Sequence, residues 1–263
     1  MRKTLIALSL AAATAPALAA DYSDDIHAND YTWLQFNLMY AFNELPADTD
    51  HEYLEMEFGG RSGIFDLYGY VDLFNLTNDE SNDKAANDRM FMKFAPRLSL
   101  DAATGIDFSY GALNELYIAS EFTIDGGSSY GKFNDEGKPT ESGFNSKIGI
   151  GSDFNVPFMG KMALNLYGVY DMNAKDWNGY QISTNWFKPL HTFDNGSFIA
   201  YQGYIDYQFG MKGDVSHGGA MFNGFYWHTD RYALGYGLKG YSDVYGIDGA
   251  TGVAHYINAS YKF

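Results

Sequence analysis

The last stretch of the chain, residues 253–263, alternates strictly between a mainly apolar face and a face with most of the polar groups. The first face carries Val253, His255, Ile257, Ala259, Tyr261 and Phe263, and the second carries Ala254, Tyr256, Asn258, Ser260 and Lys262. A period of two is typical of a β-strand. In a membrane barrel, one strand face meets hydrocarbon and the other meets a wet lumen. We therefore predict that this strand closes a barrel by pairing with the first strand, because a barrel leaves no edge unpaired.

The same alternation recurs in eleven earlier segments, which are separated by clusters of Gly, Asn and Asp. The predicted strands cover residues 33–42, 52–58, 64–74, 90–100, 115–125, 144–154, 162–172, 179–187, 197–209, 220–228, 232–241 and 253–263. Pro96 weakens the fourth segment, for which a short helix at its start is the alternative. An even number of strands is the rule in bacterial barrels. We predict an all-β fold, a 12-stranded antiparallel transmembrane β-barrel with periplasmic N- and C-termini.

The face opposite the apolar one carries the candidate solute-binding side chains. A twelve-stranded barrel is wider than a filled eight-stranded barrel and narrower than a porin, so bulky side chains must line a narrow passage. Tyrosine rings can stack on a planar solute while hydroxyls and carboxylates bond its polar edge. The alternative for any one of these side chains is that it only fills space around ion pairs. The lumen-facing candidates are Glu55, Glu57, Asp66, Tyr68, Tyr70, Asp72, Arg97, Tyr167, Asp171, Tyr204 and Asp206.

The N-terminus reads as a secretory signal peptide. Arg2 and Lys3 precede an apolar core at residues 5–13, and residues 17–19 form an A-x-A cleavage site. We expect cleavage after Ala19, with Ala20 as the alternative. Residues 20–263 then form one barrel domain, in which residues 20–31 are an N-terminal periplasmic or plug segment. No later stretch reaches the roughly 18 apolar residues that a spanning helix needs.

Composition supports the barrel and excludes one class of partner. The sequence has 22 tyrosines and 20 phenylalanines, which suit aromatic girdles at two membrane interfaces. An aromatic-rich soluble β-sandwich is the alternative. A formal charge of −16 argues against nucleic acid as a partner, since such partners need a basic surface. There are no cysteines, so a hydrogen-bonded closed sheet must supply the stability that disulfides give many secreted proteins.

Connection lengths divide between the two ends of the predicted barrel. With periplasmic termini, odd-numbered connections face outside, including the two longest, 75–89 and 125–143. Periplasmic turns should be short, and 60–63 and 229–231 are. The connections 101–113 and 188–196 are longer than this arrangement predicts.

Two segments resemble a known family. WLQFNLMYAFNELP at 33–46 and YLEMEFGGRSGIFDLYGYVDLF at 53–74 resemble the nucleoside-specific channel-forming, or Tsx-type, family of the outer membrane. The resemblance implies a monomeric twelve-stranded channel, passive uptake of nucleosides and use as a bacteriophage receptor. Of the family's nucleoside contacts, it carries over only to the inward residues of the second segment, Asp66, Tyr68, Tyr70 and Asp72.

Several motifs point elsewhere but lack the context that their chemistry needs. Residues 127–131 match G-x-S-x-G, yet a nucleophile elbow requires a strand–turn–helix in an α/β sheet. The six histidines show no metal-ligand spacing, and three N-x-S/T sequons have no meaning in a bacterial-type barrel. The acidic run at 78–88 is read as a solvated loop in preference to a weak cation site. We therefore predict neither an enzyme nor a cofactor.

The leading interpretation is an outer-membrane channel for passive uptake of nucleosides or similar small solutes, also used by bacteriophage. The alternative is a structural or surface-receptor protein with little solute specificity. The expected partners are small solutes, outer-membrane lipid, lipopolysaccharide and phage. Inward acidic residues predict mild cation selectivity.

Overall fold

The protein is described by a computed structural model that covers residues 25–84, 89–126, 144–212 and 215–263. The strands are β1 (Tyr31–Glu44), β2 (Thr49–Ser62), β3 (Phe65–Phe74), β4 (Met90–Ser99), β5 (Leu113–Gly126), β6 (Phe144–Val156), β7 (Gly160–Asp171), β8 (Asp176–Thr192), β9 (Phe198–Phe209), β10 (His217–His228), β11 (Tyr232–Ser242) and β12 (Gly252–Lys262). One short helix, α1 (Leu100–Thr104), follows β4. All twelve predicted strands are present.

The strands form one closed antiparallel barrel in which each strand pairs with its neighbours in the chain. The predicted closing pair, β1 with β12, runs from Gln35 opposite Lys262 to Phe42 opposite His255. The Phe263 amide extends it by donating to the Leu34 carbonyl at 3.1 Å. This pairing places the start of β1 and the end of β12 at one end of the barrel, here called the terminal end. The opposite end is the loop end.

The outward face is apolar and the inward face is packed, as the alternation predicts. On β12, Val253 and Ile257 expose 55% and 52% of their surface, whereas Ala254 and Tyr256 expose 0% and 3%. Side chains such as Leu38, Ile118, Ile150 and Leu234 continue the exposed apolar surface around the barrel. An apolar belt of this kind is stable when hydrocarbon, not water, surrounds it.

Aromatic rings cluster on the outer surface near both ends of the barrel. At the terminal end, Phe263 makes edge contacts with Phe36 and Tyr261, with ring centroids 5.5 and 4.9 Å apart. Near the loop end, Tyr180 stacks on Phe209 at 5.5 Å. Rings at both borders of an apolar belt match the two interfaces of a bilayer.

The helix near β4 lies at the end of that strand, so the alternative of a helix at its start is wrong. Ser99 begins α1 by accepting the Ala102 amide at 3.0 Å, and Gly105 ends it with φ of 70°. Pro96 stays in the strand because it lies in a gap of the β4–β5 pairing, between Phe94 and Arg97. Proline is tolerated in sheets at such places, where no ladder hydrogen bond is required of it.

Strand β8 is longer than predicted, which corrects the expected connection 188–196. It continues to Thr192 through a bulge between Pro189 and His191, so the turn covers only 193–197. Because the bulge interrupts the hydrogen-bond ladder at this point, the strand does not need the N–H that proline lacks.

Most connections at the terminal end are short: 63–64, 157–159, 193–197 and 229–231. The exception is 100–112, which contains α1. The two longest intervals between strands follow Phe74 and Gly126, which are strand ends at the loop end. No helix of the described residues is long and apolar enough to cross a membrane.

The described part of the predicted N-terminal segment is fixed to the terminal end. The Asp30 carboxylate accepts the Gly63 amide at 2.7 Å, and His27 contacts the same carboxylate at 2.8 Å. Although desolvation opposes the effect, these hydrogen bonds hold the pKa of Asp30 below its usual value. The residue therefore stays ionised at neutral pH and anchors residues 27–30 to the β2–β3 turn.

Candidate functional site: the barrel lumen

Charged side chains at the terminal end of the lumen form a dense ion-pair network. Arg61 of β2 makes a two-pronged contact with Glu115 of β5, at 2.5 and 2.9 Å. Arg97 of β4 binds Asp66 at 2.9 Å and Asp153 at 2.9 Å. Bidentate and multiply bonded arginines of this kind hold their partners in fixed positions. The network is therefore a rigid polar layer across one end of the barrel.

Tyr117 lies at the centre of this layer. It is 0% exposed, and the Arg97 guanidinium lies 4.0 Å from its ring centroid. Its hydroxyl is 2.7 Å from Glu115 and 3.0 Å from Asp153. A ring held between arginine and two carboxylates is a structural element of the layer, in keeping with cation–π geometry.

A second ion-paired group crosses the lumen at mid-height. Lys93 of β4 lies 3.2 Å from Asp206 of β9 and 3.2 Å from Glu121 of β5. Lys147 binds Glu121 from the other side at 2.5 Å. In the circle of twelve strands, β4 and β9 are five places apart, so they lie almost opposite each other. The Lys93–Asp206 pair is therefore a bridge across the lumen, and we expect the lumen to be narrowest there.

A third group closes around Glu44 at the loop end. Its carboxylate lies 3.1 Å from His51, 3.5 Å from Lys84 and 3.9 Å from Lys239. The Tyr256 hydroxyl donates to it at 2.8 Å. Three positive or ionisable groups converge on one carboxylate here, so the negative charge of Glu44 is balanced by its neighbours.

Four aromatic rings follow one another along the lumen wall of β1, β3 and β4. The ring centroids of Trp33 and Tyr68 are 6.3 Å apart, those of Tyr68 and Tyr70 are 6.1 Å apart, and those of Tyr70 and Phe91 are 5.7 Å apart. We call these four residues the aromatic row. It climbs from the terminal end, at Trp33, toward the loop end, at Phe91, and Tyr68 exposes 36% of its surface inside the barrel.

Space for the aromatic row depends on a glycine. A Cβ atom on Gly59 would lie 2.8 Å from the Trp33 ring, closer than any side chain tolerates. Gly59 pairs with Trp33 on one side and with Tyr68 on the other. Because it has no side chain, the two rings meet over it.

Three carboxyl groups lie beside the aromatic row on β2 and β3. Glu55 stands opposite Asp72 in the strand register, and Glu57 lies two residues along β2. We call Glu55, Glu57 and Asp72 the acidic wall. Its hydrogen bonds come from neutral donors: Asn37 to Glu55 at 2.5 Å, Gln35 to Glu57 at 2.6 Å and Tyr68 to Glu57 at 2.9 Å.

The structure brings five of the predicted lumen residues together and distributes the others. Glu55, Glu57, Tyr68, Tyr70 and Asp72 share one stretch of wall. Asp66 and Arg97 belong to the terminal layer, and Asp206 to the mid-height bridge. Tyr204 stacks on Phe222 at 5.9 Å, Tyr167 is only 2% exposed, and Asp171 binds the loop amides of Asn173 and Ala174. Their part in solute binding stays a prediction.

Sequence reasoning missed several residues that shape this lumen. The ion-pair layers are held by three residues of β5, Glu115, Tyr117 and Glu121. Their one sign in the sequence is that they occupy alternate positions of the strand, on its inward face. Phe222 and Tyr226 carry rings into the lumen from β10. The sequence does not distinguish the two faces of β10, because residues such as Phe225 and Trp227 make its outer face aromatic as well.

The other candidate motifs do not form sites in the described part of the chain. The G-x-S-x-G segment at 127–131 lies outside the described residues. In the acidic run, Asp79 accepts the Ser81 amide and hydroxyl at 2.8 Å, and these bonds lower its pKa. Residues 25–84, 89–126, 144–212 and 215–263 contain no group of three or more His, Asp or Glu side chains able to hold a metal ion.

A closed strand circle, an apolar outer belt and a charged, aromatic interior define a transmembrane β-barrel of the outer membrane. Comparison with known proteins gives the family. The family model described as "Nucleoside-specific channel-forming protein, Tsx" matches residues 28–263. The chain therefore belongs to the nucleoside-specific channel-forming family of outer-membrane proteins, which confirms the sequence resemblance.

Two relatives illustrate the range of similarity. Outer membrane protein OmpK of Vibrio parahaemolyticus serotype O3:K6 is 62% identical over 273 residues, covering 100% of both chains. The nucleoside-specific channel-forming protein Tsx of Salmonella typhimurium is 27% identical over 227 residues, covering 80% of this chain and 75% of that protein. Among solved structures, a KdgM porin aligns with 87% of this chain and 99% of its own at 12% identity and a TM-score of 0.47.

The mid-height bridge generates the first test. Replacing Lys93→Ala removes the longest side chain of the bridge, and we expect single-channel conductance in a planar bilayer to rise roughly twofold, since the narrowest section limits conduction. Lys161→Ala is the control, because Lys161 binds Asp153 at the terminal mouth and is 52% exposed. A wild-type conductance in Lys93→Ala, or an equal rise in the control, would show that the bridge is not the constriction.

Proposed function

We propose that this protein is a channel for passive uptake of nucleosides or similar small solutes across the outer membrane. The observation that carries the proposal is the aromatic row beside the acidic wall. A planar base can stack on successive rings, and the neighbouring amide, hydroxyl and carboxyl groups can bond its polar edge and its sugar. Both kinds of contact are available on the same wall.

The arrangement of the row favours passage over tight binding. Its four rings are spaced along the lumen, so a solute that leaves one ring meets the next. Conduction requires sites that are favourable enough to enter and weak enough to leave. Lys93 stands opposite Tyr70 in the strand register, so the bridge from Lys93 to Asp206 begins at the row and would keep solutes close to it.

The relatives support the solute class. Those named Tsx are described as nucleoside-specific channels, and the model of their family matches residues 28–263 of this chain.

The proposed orientation has both termini in the periplasm, so that short turns lie inside and long connections lie outside. The closed circle leaves no strand edge to pair with another copy, which supports a monomer in contact with lipid and lipopolysaccharide.

Nucleoside block of conductance tests the solute class. Adenosine or uridine added to a planar bilayer should reduce wild-type conductance in a saturable way. Tyr68→Ala should weaken the block by roughly tenfold, within the ~1–3 kcal/mol that base–aromatic stacking contributes, and Tyr68→Phe should retain it. Tyr180→Ala, whose ring lies on the outer surface, is the matched control. Conductance indifferent to every nucleoside would refute nucleoside specificity.

We also propose a role as a bacteriophage receptor, with a surface protein of little solute specificity as the alternative. The supporting observation is the long connections at the loop end. Part of one is well anchored: the Asp50 amide donates to Asp83 at 2.7 Å and Asn82 donates to Glu52 at 2.6 Å. A loop pinned to the barrel rim in this way can present a fixed epitope.

Loop replacement tests receptor use. Exchanging residues 76–84 or 127–143 for a short Gly/Ser turn should abolish adsorption of a phage that recognises this protein, measured as loss of free phage. Exchanging the short turn 229–231 is the control, because it lies at the terminal end. Unchanged adsorption in both loop variants would argue against the receptor role.

A further inference from the structure

The acidic wall has no positively charged partner among the residues that the structure describes. Within 4 Å, none of the described lysines, arginines or histidines contacts Glu55, Glu57 or Asp72. Lys239 exerts an attraction on Asp72 from farther away, but its ion pair is with Glu44. Elsewhere in the lumen, other carboxylates form ion pairs with the four cations Lys93, Lys147, Arg61 and Arg97.

The wall also contains buried acceptors that lack donors. Asn37, 3% exposed, gives its amide hydrogens to Glu55 and Glu57, while its Oδ1 has no hydrogen-bond partner among the described residues. Asp72, 8% exposed, has an unpartnered Oδ1 as well. A buried polar atom without a hydrogen-bond partner is unfavourable. These two atoms need N–H or O–H donors.

Two carboxyl groups of the wall are also cross-strand neighbours. Glu55 stands opposite Asp72 in the β2–β3 register, and two negative charges placed directly opposite each other are unfavourable unless a proton or a cation lies between them. A neutral nucleoside would supply hydrogen-bond donors but no charge. The wall therefore has a charge requirement that the proposed nucleoside passage leaves unmet.

We propose that the acidic wall binds an organic primary ammonium ion, and that a linear alkyl diamine is the class it fits best. Such a cation supplies both the positive charge and the N–H donors. The wall is elongated: a two-residue step along β2, from Glu55 to Glu57, spans about 7 Å, which a four- or five-carbon diamine can bridge. A single metal ion fits less well, because the described residues hold no converging set of three such ligands.

The surroundings suit an alkylammonium chain. The Tyr68 ring, partly exposed in the lumen, lies beside Glu57 and offers an aromatic face to a cation. Glu55 and Glu57 are themselves half-buried, so a solute in the lumen can reach them.

Direct binding tests this proposal independently of nucleoside transport. Putrescine (1,4-diaminobutane) is titrated into the folded protein in detergent micelles at low salt, with heat as the readout. We expect saturable binding to the wild type, and a loss of at least about tenfold in affinity in the Glu55→Gln/Asp72→Asn double variant, since charge-assisted hydrogen bonds are the strong ones. The neutral isostere 1,4-butanediol should give no binding.

Controls separate this wall from the general negative charge of the protein. Asp176→Asn removes an exposed carboxylate at the loop end that pairs with Lys212, and putrescine affinity should not change. If the double variant fails to fold, Glu57→Gln provides the same test at one position. Equal affinity in the wall variants and the wild type, or no binding to the wild type because a proton already satisfies the pair, overturns the proposal. Adenosine titrated into the same samples reports separately on the nucleoside class.

Discussion

Backbone hydrogen bonding in hydrocarbon is the constraint on which this structure depends. A strand in a bilayer has no water to satisfy its N–H and C=O groups, so every strand needs a partner on each side. The antiparallel pair of β1 with β12 meets that requirement for the first and last strands. Once the circle closes, each successive side chain must face either lipid or lumen. The apolar belt and the polar interior both follow from that geometry.

Closure creates a second problem, which is how to hold many charges inside a narrow barrel. The lumen solves it in three places by pairing: the terminal layer around Arg97, the bridge at Lys93 and the group around Glu44. Burying charges is unfavourable unless they are paired and hydrogen-bonded. The acidic wall is the exception, because its hydrogen bonds within the described part of the chain come from neutral donors. Because no positive side chain balances the negative charge of this wall, a positively charged solute can bind there and balance it.

The sequence predicted the strands and their faces well because a period of two is a local property. It could not predict which inward charges meet, since partners such as Lys93 and Asp206 are set by the curvature of a closed circle and by register across several strands. The predicted end of β8 at residue 187 is too early, because a bulge after Pro189 lets the strand continue. On β10, Phe222 and Tyr226 escaped notice because both faces of the strand are aromatic. Packing buries Tyr167 almost completely, which the alternation of faces along a strand cannot show.

Disulfide trapping of the β1–β12 seam tests the central claim most directly, and the absence of native cysteines makes it unambiguous. Leu38 stands opposite Ala259 in the register, and paired strand positions lie within the ~4.4–6.8 Å Cα separation that a disulfide needs. Leu38→Cys combined with Ala259→Cys should therefore cross-link in outer membranes under mild oxidation. Leu38→Cys combined with Ile257→Cys, on the same face but one register step away, should not. Absence of the first cross-link, or equal yields of both, would contradict a barrel closed in this register.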